Sequence, residues 1–306
     1  MTRLPLLQGL IAAAHTPFDE AGELALDVIP QQAELFREQG LIGVFVAGST
    51  GEWFSLTPQE RCRLFDAWMQ EAGETLHVIA HVGGIPLEDA CSLAAHAESA
   101  GVHAISCLVP PGSDVSSPEE VVDYLEPVAA SAPATPCMYY DMQALTGIDL
   151  PLDLVLEHAR SRVPTLAGAK YTNTDLATLT RARLVGDGDL QVLMGRDEML
   201  LGAMATGVQG AVGSTYNYAA PVYQRIAAAI ERGDLEAARV ANVEVVRFVR
   251  ELLKVGVLPG AKAIMRWMGV DVGHPRPPHA GLGADESLAF YDAIRTMPIF
   301  ARELNP

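Results

Sequence analysis

Lysine is scarce in this chain of 306 residues. Of its 21 basic residues only three are lysine, Lys170, Lys254 and Lys262, set against 38 acidic residues. The formal net charge of −17 leaves no basic field for a polyanion. Nucleic acid and anionic membrane surfaces are therefore excluded as partners. Long apolar runs are missing too: none reaches the roughly 18–20 residues of a membrane span. The opening stretch "MTRLPLLQGLIAAAHTPFDE" lacks the longer apolar region of a secretory signal and reads better as a first strand, so the expected location is the cytoplasm. The four cysteines, Cys62, Cys91, Cys107 and Cys137, have no CxxC or other metal-ligand spacing. They are expected as buried small hydrophobes, not as a disulfide framework or a zinc site. Aromatics are few at 6%, yet 49% of the residues are hydrophobic, enough for a large aliphatic core.

What is present is an alternation of short apolar runs and longer amphipathic ones. The runs 9–18, 41–50, 77–84, 104–111, 136–141, 166–172, 190–197 and 210–215 read as strands. Helical patterns follow them at 27–39, 58–72, 86–100, 118–131, 151–161, 174–184, 197–205 and 219–232. The strands are continuously apolar, as parallel strands covered on both faces are. Eight such units in series predict an α/β fold, a (β/α)8 TIM barrel over residues 1–233; a doubly wound open sheet is the alternative. Helical segments at 235–256, 260–269 and 286–297, joined by the loop 273–283, predict a C-terminal helical extension over 234–306 packed on the barrel.

In a barrel of this kind chemistry sits where the strands end. The second ends in Gly48-Ser49-Thr50-Gly51-Glu52, the fifth in Tyr139-Tyr140-Asp141 and the sixth in Lys170-Tyr171-Thr172. The seventh ends in Gly195-Arg196-Asp197-Glu198 and the eighth in Gly213-Ser214-Thr215-Tyr216-Asn217. No metal-ligand cluster occurs among them. An unpartnered buried ammonium is costly. Lys170 is thus either a salt-bridged or snorkelling lysine, or an amine poised in a partly dry mouth to condense with a carbonyl. "GSTGE" is either an ordinary turn or a cluster of backbone N–H groups and hydroxyls suited to a carboxylate. Asp197 and Glu198 either favour the start of a helix or accept hydrogen bonds from sugar hydroxyls. His15 and His81 are expected as core or supporting residues, and Lys254 and Lys262 as solvated helix-face residues.

Together, "GSTGE" (48–52), "GAK" (168–170), "YYDMQALTG" (139–147), "KYTNTDL" (170–176), "GRDEMLLGAMATGVQGAVGSTYNY" (195–218) and "KAIM" (262–265) carry a resemblance. The chain resembles the pyruvate-dependent class I aldolases of the dihydrodipicolinate synthase and N-acetylneuraminate lyase superfamily, most of all its sialic acid lyase branch, over about residues 8–270. The resemblance implies a retro-aldol lyase with Lys170 as Schiff-base nucleophile, Tyr140 handling the proton at the reacting centre, and Ser49 relaying it. It implies substrate binding by Thr50, Gly51, Leu145, Thr172, Gly195, Asp197, Glu198, Gly213 and Ser214. It implies no metal and no cofactor beyond the imine itself, a 2-keto sugar acid and pyruvate as ligands, and a homotetramer built as a dimer of dimers. Leu145 stands where the synthase branch carries an arginine, which disfavours that synthase. Another pyruvate-dependent lyase or dehydratase for a different 2-keto-3-deoxy sugar acid is the alternative, and a non-catalytic acid-binding barrel a further one.

Three features depart from the family pattern. "DMQ" (141–143) follows Tyr140, where Asp141 is expected to act on the neighbouring phenol and the lost proline to loosen the loop. "LVPPGSD" (108–114) lacks the tyrosine that many members lend to a neighbouring subunit. Arg196 stands between the sugar-binding positions and offers a cation at the mouth.

Overall fold

The computed structural model describes residues 6–300 and 302–306. Eight strands, β1 (Gly9–Ala13), β2 (Gly43–Val46), β3 (His77–His81), β4 (Ala104–Cys107), β5 (Cys137–Asp141), β6 (Leu166–Tyr171), β7 (Gln191–Met194) and β8 (Gly210–Gly213), run in sequence order around a closed barrel. All their pairings are parallel, and β1 closes on β8 with Gly9 opposite Gly210. The open-sheet alternative is thereby excluded. The helices are α1 (Ile29–Glu38), α2 (Pro58–Ala72), α3 (Leu87–Ala100), α4 (Pro118–Ala130), α5 (Gln143–Thr146), α6 (Leu152–Arg162), α7 (Leu176–Ala182), α8 (Leu200–Ala205), α9 (Tyr216–Glu231), α10 (Leu235–Val255), α11 (Val257–Trp267) and α12 (Ala284–Ile294). The last three are the C-terminal extension, with α10 packed on α9 and α12 on α10.

Local chemistry sets these boundaries. Helix α2 starts where Thr57 and Glu60 form a reciprocal capping box with Pro58 in the first turn, and α4 repeats the device with Ser117, Glu120 and Pro118. Except for β5, the strands stop earlier than their apolar runs because the residues beyond them leave the ladder to build the mouth. Alternation along each strand divides the apolar residues in two. One core lies between barrel and helices, with Val44, Cys107, Tyr139 and Ala169; the other fills the barrel itself, with Ile11, Phe45, Ile79, Met138, Tyr140 and Leu193. All four cysteines are free thiols, Cys107 and Cys137 buried and Cys62 and Cys91 half-buried.

One irregularity aims Lys170. Opposite β5, Cys137 faces Leu166 while Met138 faces Gly168, so β6 carries one extra residue there. Ala167 packs against the inner core and Ala169 against the outer one. Unbroken alternation from Ala167 would turn residue 170 outward; the bulge resets the phase and sends Lys170 into the barrel. Only glycine fits at the bulge. Gly168 has φ +145°, and a Cβ on it would stand 1.8 Å from the Gln191 carbonyl oxygen.

Candidate active site

Lys170 is 4% exposed. Its Nζ lies 4.1 Å from the Phe45 ring centroid and 4.2 Å from that of Tyr140, and no ion pair or hydrogen bond engages it among the described residues. Two aromatic faces stabilise a cation weakly and exclude water, so Nζ is held without a counter-ion. The salt-bridged reading of Lys170 is thereby excluded. His81 completes the aromatic floor, edge-on to Tyr140 and stacked on Phe45. Burial, with the charges of Arg61 and Lys170 acting the same way, pushes the His81 imidazole well below its usual range. His81 is thus a neutral supporting residue, as is His15, which burial and the Lys262 charge lower to about 3.

The hydroxyls gather beside the amine. Ser49 Oγ lies 3.3 Å from the Tyr140 hydroxyl, as expected for a relay. Met142 Sδ lies 3.5 Å from Ser49 Oγ and 3.3 Å from the Tyr140 hydroxyl, and accepts from whichever of the two does not donate to the other. The sequence reading missed this methionine, flagged only as part of a departure. Asp141 does not act where expected. Strand alternation turns it to the outer face, where burial first and the Asp141 charge second raise Tyr139 and Tyr171, while its own carboxyl is raised to about 7 by burial and by Asp149. Nor does the loop lie untied without its proline: Asn173 Nδ2 donates to Gln143 Oε1 at 2.8 Å, joining the segments after β5 and β6.

Ser49 and Thr50 sit in a turn closed by Glu52 N–H to the Ser49 carbonyl at 3.1 Å, with the Gly51 carbonyl accepting from Thr16 Oγ1 at 2.6 Å. Glu52 itself is fully buried in a left-handed conformation, φ 58°. Its carboxylate meets Lys262 Nζ at 2.8 Å and accepts from the Arg276 backbone N–H at 2.9 Å. Lys262 is therefore not a solvated residue: it is 2% exposed and donates to the carbonyl of Thr16 at 2.9 Å. The helical periodicity around Lys262 was right, but α11 turns this face inward because a buried carboxylate waits there. Arg276, in the loop after α11, also reaches the Ser55 carbonyl at 2.9 Å and Glu60 at 2.5 Å. The extension thus braces the turn that carries Ser49 and Thr50. A charged residue directly after a glycine turn, with no oppositely charged residue nearby in sequence, was the available signal for Glu52. Lys254, by contrast, is exposed and paired with Glu251.

The far side of the mouth is built from β6, β7 and β8. Thr172 Oγ1 is buried without a partner, and a Cβ on Gly195 would stand 2.0 Å from it, so Gly195 must stay bare. Asp197 is buried and accepts at Oδ2 from the Thr215 N–H at 2.7 Å, the Thr215 hydroxyl at 2.6 Å and the Ser214 hydroxyl at 3.4 Å. Burial raises its carboxyl to about 6 despite those donors. Gly213 is bare beside the other oxygen, since a Cβ there would lie 2.5 Å from Asp197 Oδ1. Glu198 faces Arg196 at 3.7 Å, so the extra cation is partly engaged by a neighbouring carboxylate. Leu145 stands exposed on α5. Lys170 thus lies against Tyr140, which in turn meets Ser49; Thr172 stands beside Gly195 and Asp197 beside Gly213 and Ser214; and Leu145 joins the first group only through its backbone N–H, which donates to the Met142 carbonyl at 3.0 Å.

Among the described residues no three His, Cys, Asp or Glu side chains converge as a metal site, and no helix is long and apolar enough to cross a membrane.

The chain matches the Dihydrodipicolinate synthetase family over residues 6–297. It is 38% identical over 295 residues to the N-acetylneuraminate lyase of Xenopus tropicalis, covering 95% of each chain. It is 37% identical over 286 residues to that of Gallus gallus, covering 92% of this chain and 93% of the other. Among solved structures, Proteus mirabilis N-acetylneuraminate lyase superposes with a TM-score of 0.94 at 31% identity, covering 97% of this chain and 100% of its own. With the barrel, its extension and a strand-borne lysine in place, the chain belongs to the dihydrodipicolinate synthetase family.

Proposed function

We propose that this enzyme is a Schiff-base class I aldolase that reversibly cleaves N-acetylneuraminate to N-acetylmannosamine and pyruvate. The observation that carries the reading is the unpaired Lys170 amine lying against Tyr140, whose hydroxyl meets Ser49. The curated relatives at 35–38% identity supply the substrate. The neutral amine of Lys170 adds to the C2 ketone of the open-chain sugar acid, and loss of water leaves a protonated imine. Tyr140 gives its proton to the departing carbinolamine hydroxyl, and the phenolate so formed, with Ser49 as its relay, takes the proton of the C4 hydroxyl. The C3–C4 bonding pair moves toward the imine nitrogen, N-acetylmannosamine departs as an aldehyde, and an enamine remains on Lys170. Protonation at C3 and hydrolysis release pyruvate and the free amine. Each proton step gains about 10²–10⁴ in rate from a positioned group.

Ser49, Thr50 and Gly51 hold the pyruvate carboxylate with backbone N–H groups and hydroxyls, aligning the ketone for attack. Thr172, Gly195, Asp197, Glu198, Gly213 and Ser214 line the sugar end, with the orphaned Thr172 hydroxyl waiting for a partner. The reaction needs no metal or cofactor. Residues up to 233 form the catalytic barrel and 234–306 its brace. The assembly is a homotetramer and the location cytoplasmic. Pyruvate plus borohydride tests the mechanism: a reduced pyruvyl adduct on Lys170, found by peptide mass spectrometry, is the expected result, and labelling of no lysine or of another one refutes it. Pyruvate release from N-acetylneuraminate, compared with a panel of other 2-keto-3-deoxy sugar acids, tests the substrate.

A further inference from the structure

Behind Asp197 runs a buried chain of hydroxyls that the reaction as written does not use. The Tyr223 hydroxyl and Thr215 Oγ1 lie 2.5 Å apart, and Thr215 Oγ1 lies 2.6 Å from Asp197 Oδ2. Tyr223 is fully buried and Thr215 is 2% exposed. A threonine hydroxyl has one proton, and here it goes to the carboxylate, so Tyr223 must be the donor in the second bond. The direction is therefore fixed along the whole chain: Tyr223 to Thr215 to Asp197. The Thr215 backbone N–H and the Ser214 hydroxyl converge on the same oxygen. One carboxylate oxygen thus receives three donors, while no hydrogen bond engages Oδ1 among the described residues; Gly213 is bare because Oδ1 and the Tyr216 ring crowd the place of its Cβ.

We propose that Thr215 and Tyr223 are positioning residues for sugar recognition, saturating Oδ2 of Asp197 so that Oδ1 alone meets a hydroxyl of the substrate's polyol chain. The inference rests on the proposed lyase reading and deepens it. A carboxylate with two free oxygens can rotate to meet hydroxyls in several places; one pinned through Oδ2 meets a single hydroxyl in one direction. The subsite therefore selects for a free hydroxyl at that point and against substrates in which it is missing or capped by an alkyl or acyl group. Among the described residues no hydrogen bond joins the pyruvate end of the reaction, at Lys170, Tyr140 and Ser49, to this chain; the Lys170 charge reaches Asp197 only through space.

That separation supplies the test. Exchange of pyruvate methyl protons in deuterated water needs only imine and enamine formation, whereas lyase turnover needs the sugar end as well. Thr215→Val keeps the shape and the backbone N–H but loses the hydroxyl. It is expected to raise KM for N-acetylneuraminate about tenfold, the size of a lost hydrogen bond to a charged group, with the pyruvate exchange rate within about twofold of the parent. Tyr223→Phe is expected to raise KM about threefold, and Thr215→Ser, which retains the donor, to stay within about twofold. An unchanged KM in Thr215→Val overturns the inference. So does an equal fall in exchange and lyase rates, which would mark a role in folding alone. Failure of the parent itself to release pyruvate from this sugar acid refutes the reaction assigned above; the variants are then compared on whichever keto sugar acid of the panel the parent cleaves, so the two ideas fail separately.

Discussion

Two lysines in this molecule are nearly inaccessible to water, and they have opposite environments. Lys170, 4% exposed, rests on the faces of Phe45 and Tyr140 with no counter-ion. Lys262, 2% exposed, meets the buried carboxylate of Glu52 at 2.8 Å, the Thr16 carbonyl at 2.9 Å and the carbonyls of Val272 and His274 at 3.4 and 3.3 Å. Burial lowers Lys262 to about 8, the Glu52 charge and hydrogen bond opposing that shift. Burial alone therefore does not make a nucleophile. What separates the two amines is their partners: Lys262 is saturated and braces a turn, while no ion pair or hydrogen bond engages Lys170 among the described residues.

The sharpest way to break this comparison is to exchange the consequences of losing each amine. Lys170→Ala is expected to lower turnover by a factor on the order of 10⁴–10⁶. Its stability should stay within about 1 kcal/mol of the parent, because relief of the desolvated amine offsets lost packing. Residual lyase activity within tenfold of the parent would remove Lys170 from the mechanism. Next in size is Tyr140→Phe, expected to lower kcat about 10²–10⁴-fold with little change in KM, because the phenol acts in the transition state. A large KM change at normal kcat would make it a binding group instead.

Lys262→Met should do the reverse of Lys170→Ala, costing about 3–5 kcal/mol of stability by stranding the Glu52 carboxylate. Adding Glu52→Gln should recover part of that loss in chemical denaturation, and a neutral single variant would show that the pair does not brace the fold. The smallest effect concerns His15, beside Lys262. Its folded value of about 3 lies below the unfolded value near 6.5, so the unfolded state binds the proton first as pH falls. The stability held by neutral His15 is present above about pH 6.5 and is lost progressively toward pH 3, at about 1.4 kcal/mol per unit. His15→Asn should remove that slope from the difference between variant and parent, read from urea midpoints between pH 6.5 and 5. An unchanged slope would mean that His15 is not buried neutral.

Much of the fold was legible because its signals are local. Each continuous apolar run contains a strand, and α2 begins and ends at the predicted residues because Thr57, Pro58 and Glu60 encode the start within four positions. The site was legible in part: Lys170, Tyr140 and Ser49 come together as the resemblance implied. Asp141 was misread because adjacency in sequence means opposite faces on a strand. Lys262 was misread because helical periodicity marks which residues share a face and is silent about what that face meets. Thr215 and Tyr223 were missed because one lies in a turn and the other eight positions on in α9, and only the fold brings their hydroxyls to one carboxylate.

By itself the sequence determined the count and order of the βα units, the helical tail and a lysine inside a strand, since these follow from periodicity, capping and composition over a few residues. Only the tertiary structure decided which buried lysine was left unpaired. Lys262 takes a carbonyl 246 positions away in sequence, and Lys170 owes its inward direction to one extra residue in the pairing of β5 with β6. Partners and facing are properties of the closed barrel, because charge is neutralised and side chains are aimed by whatever the fold brings within a few ångströms.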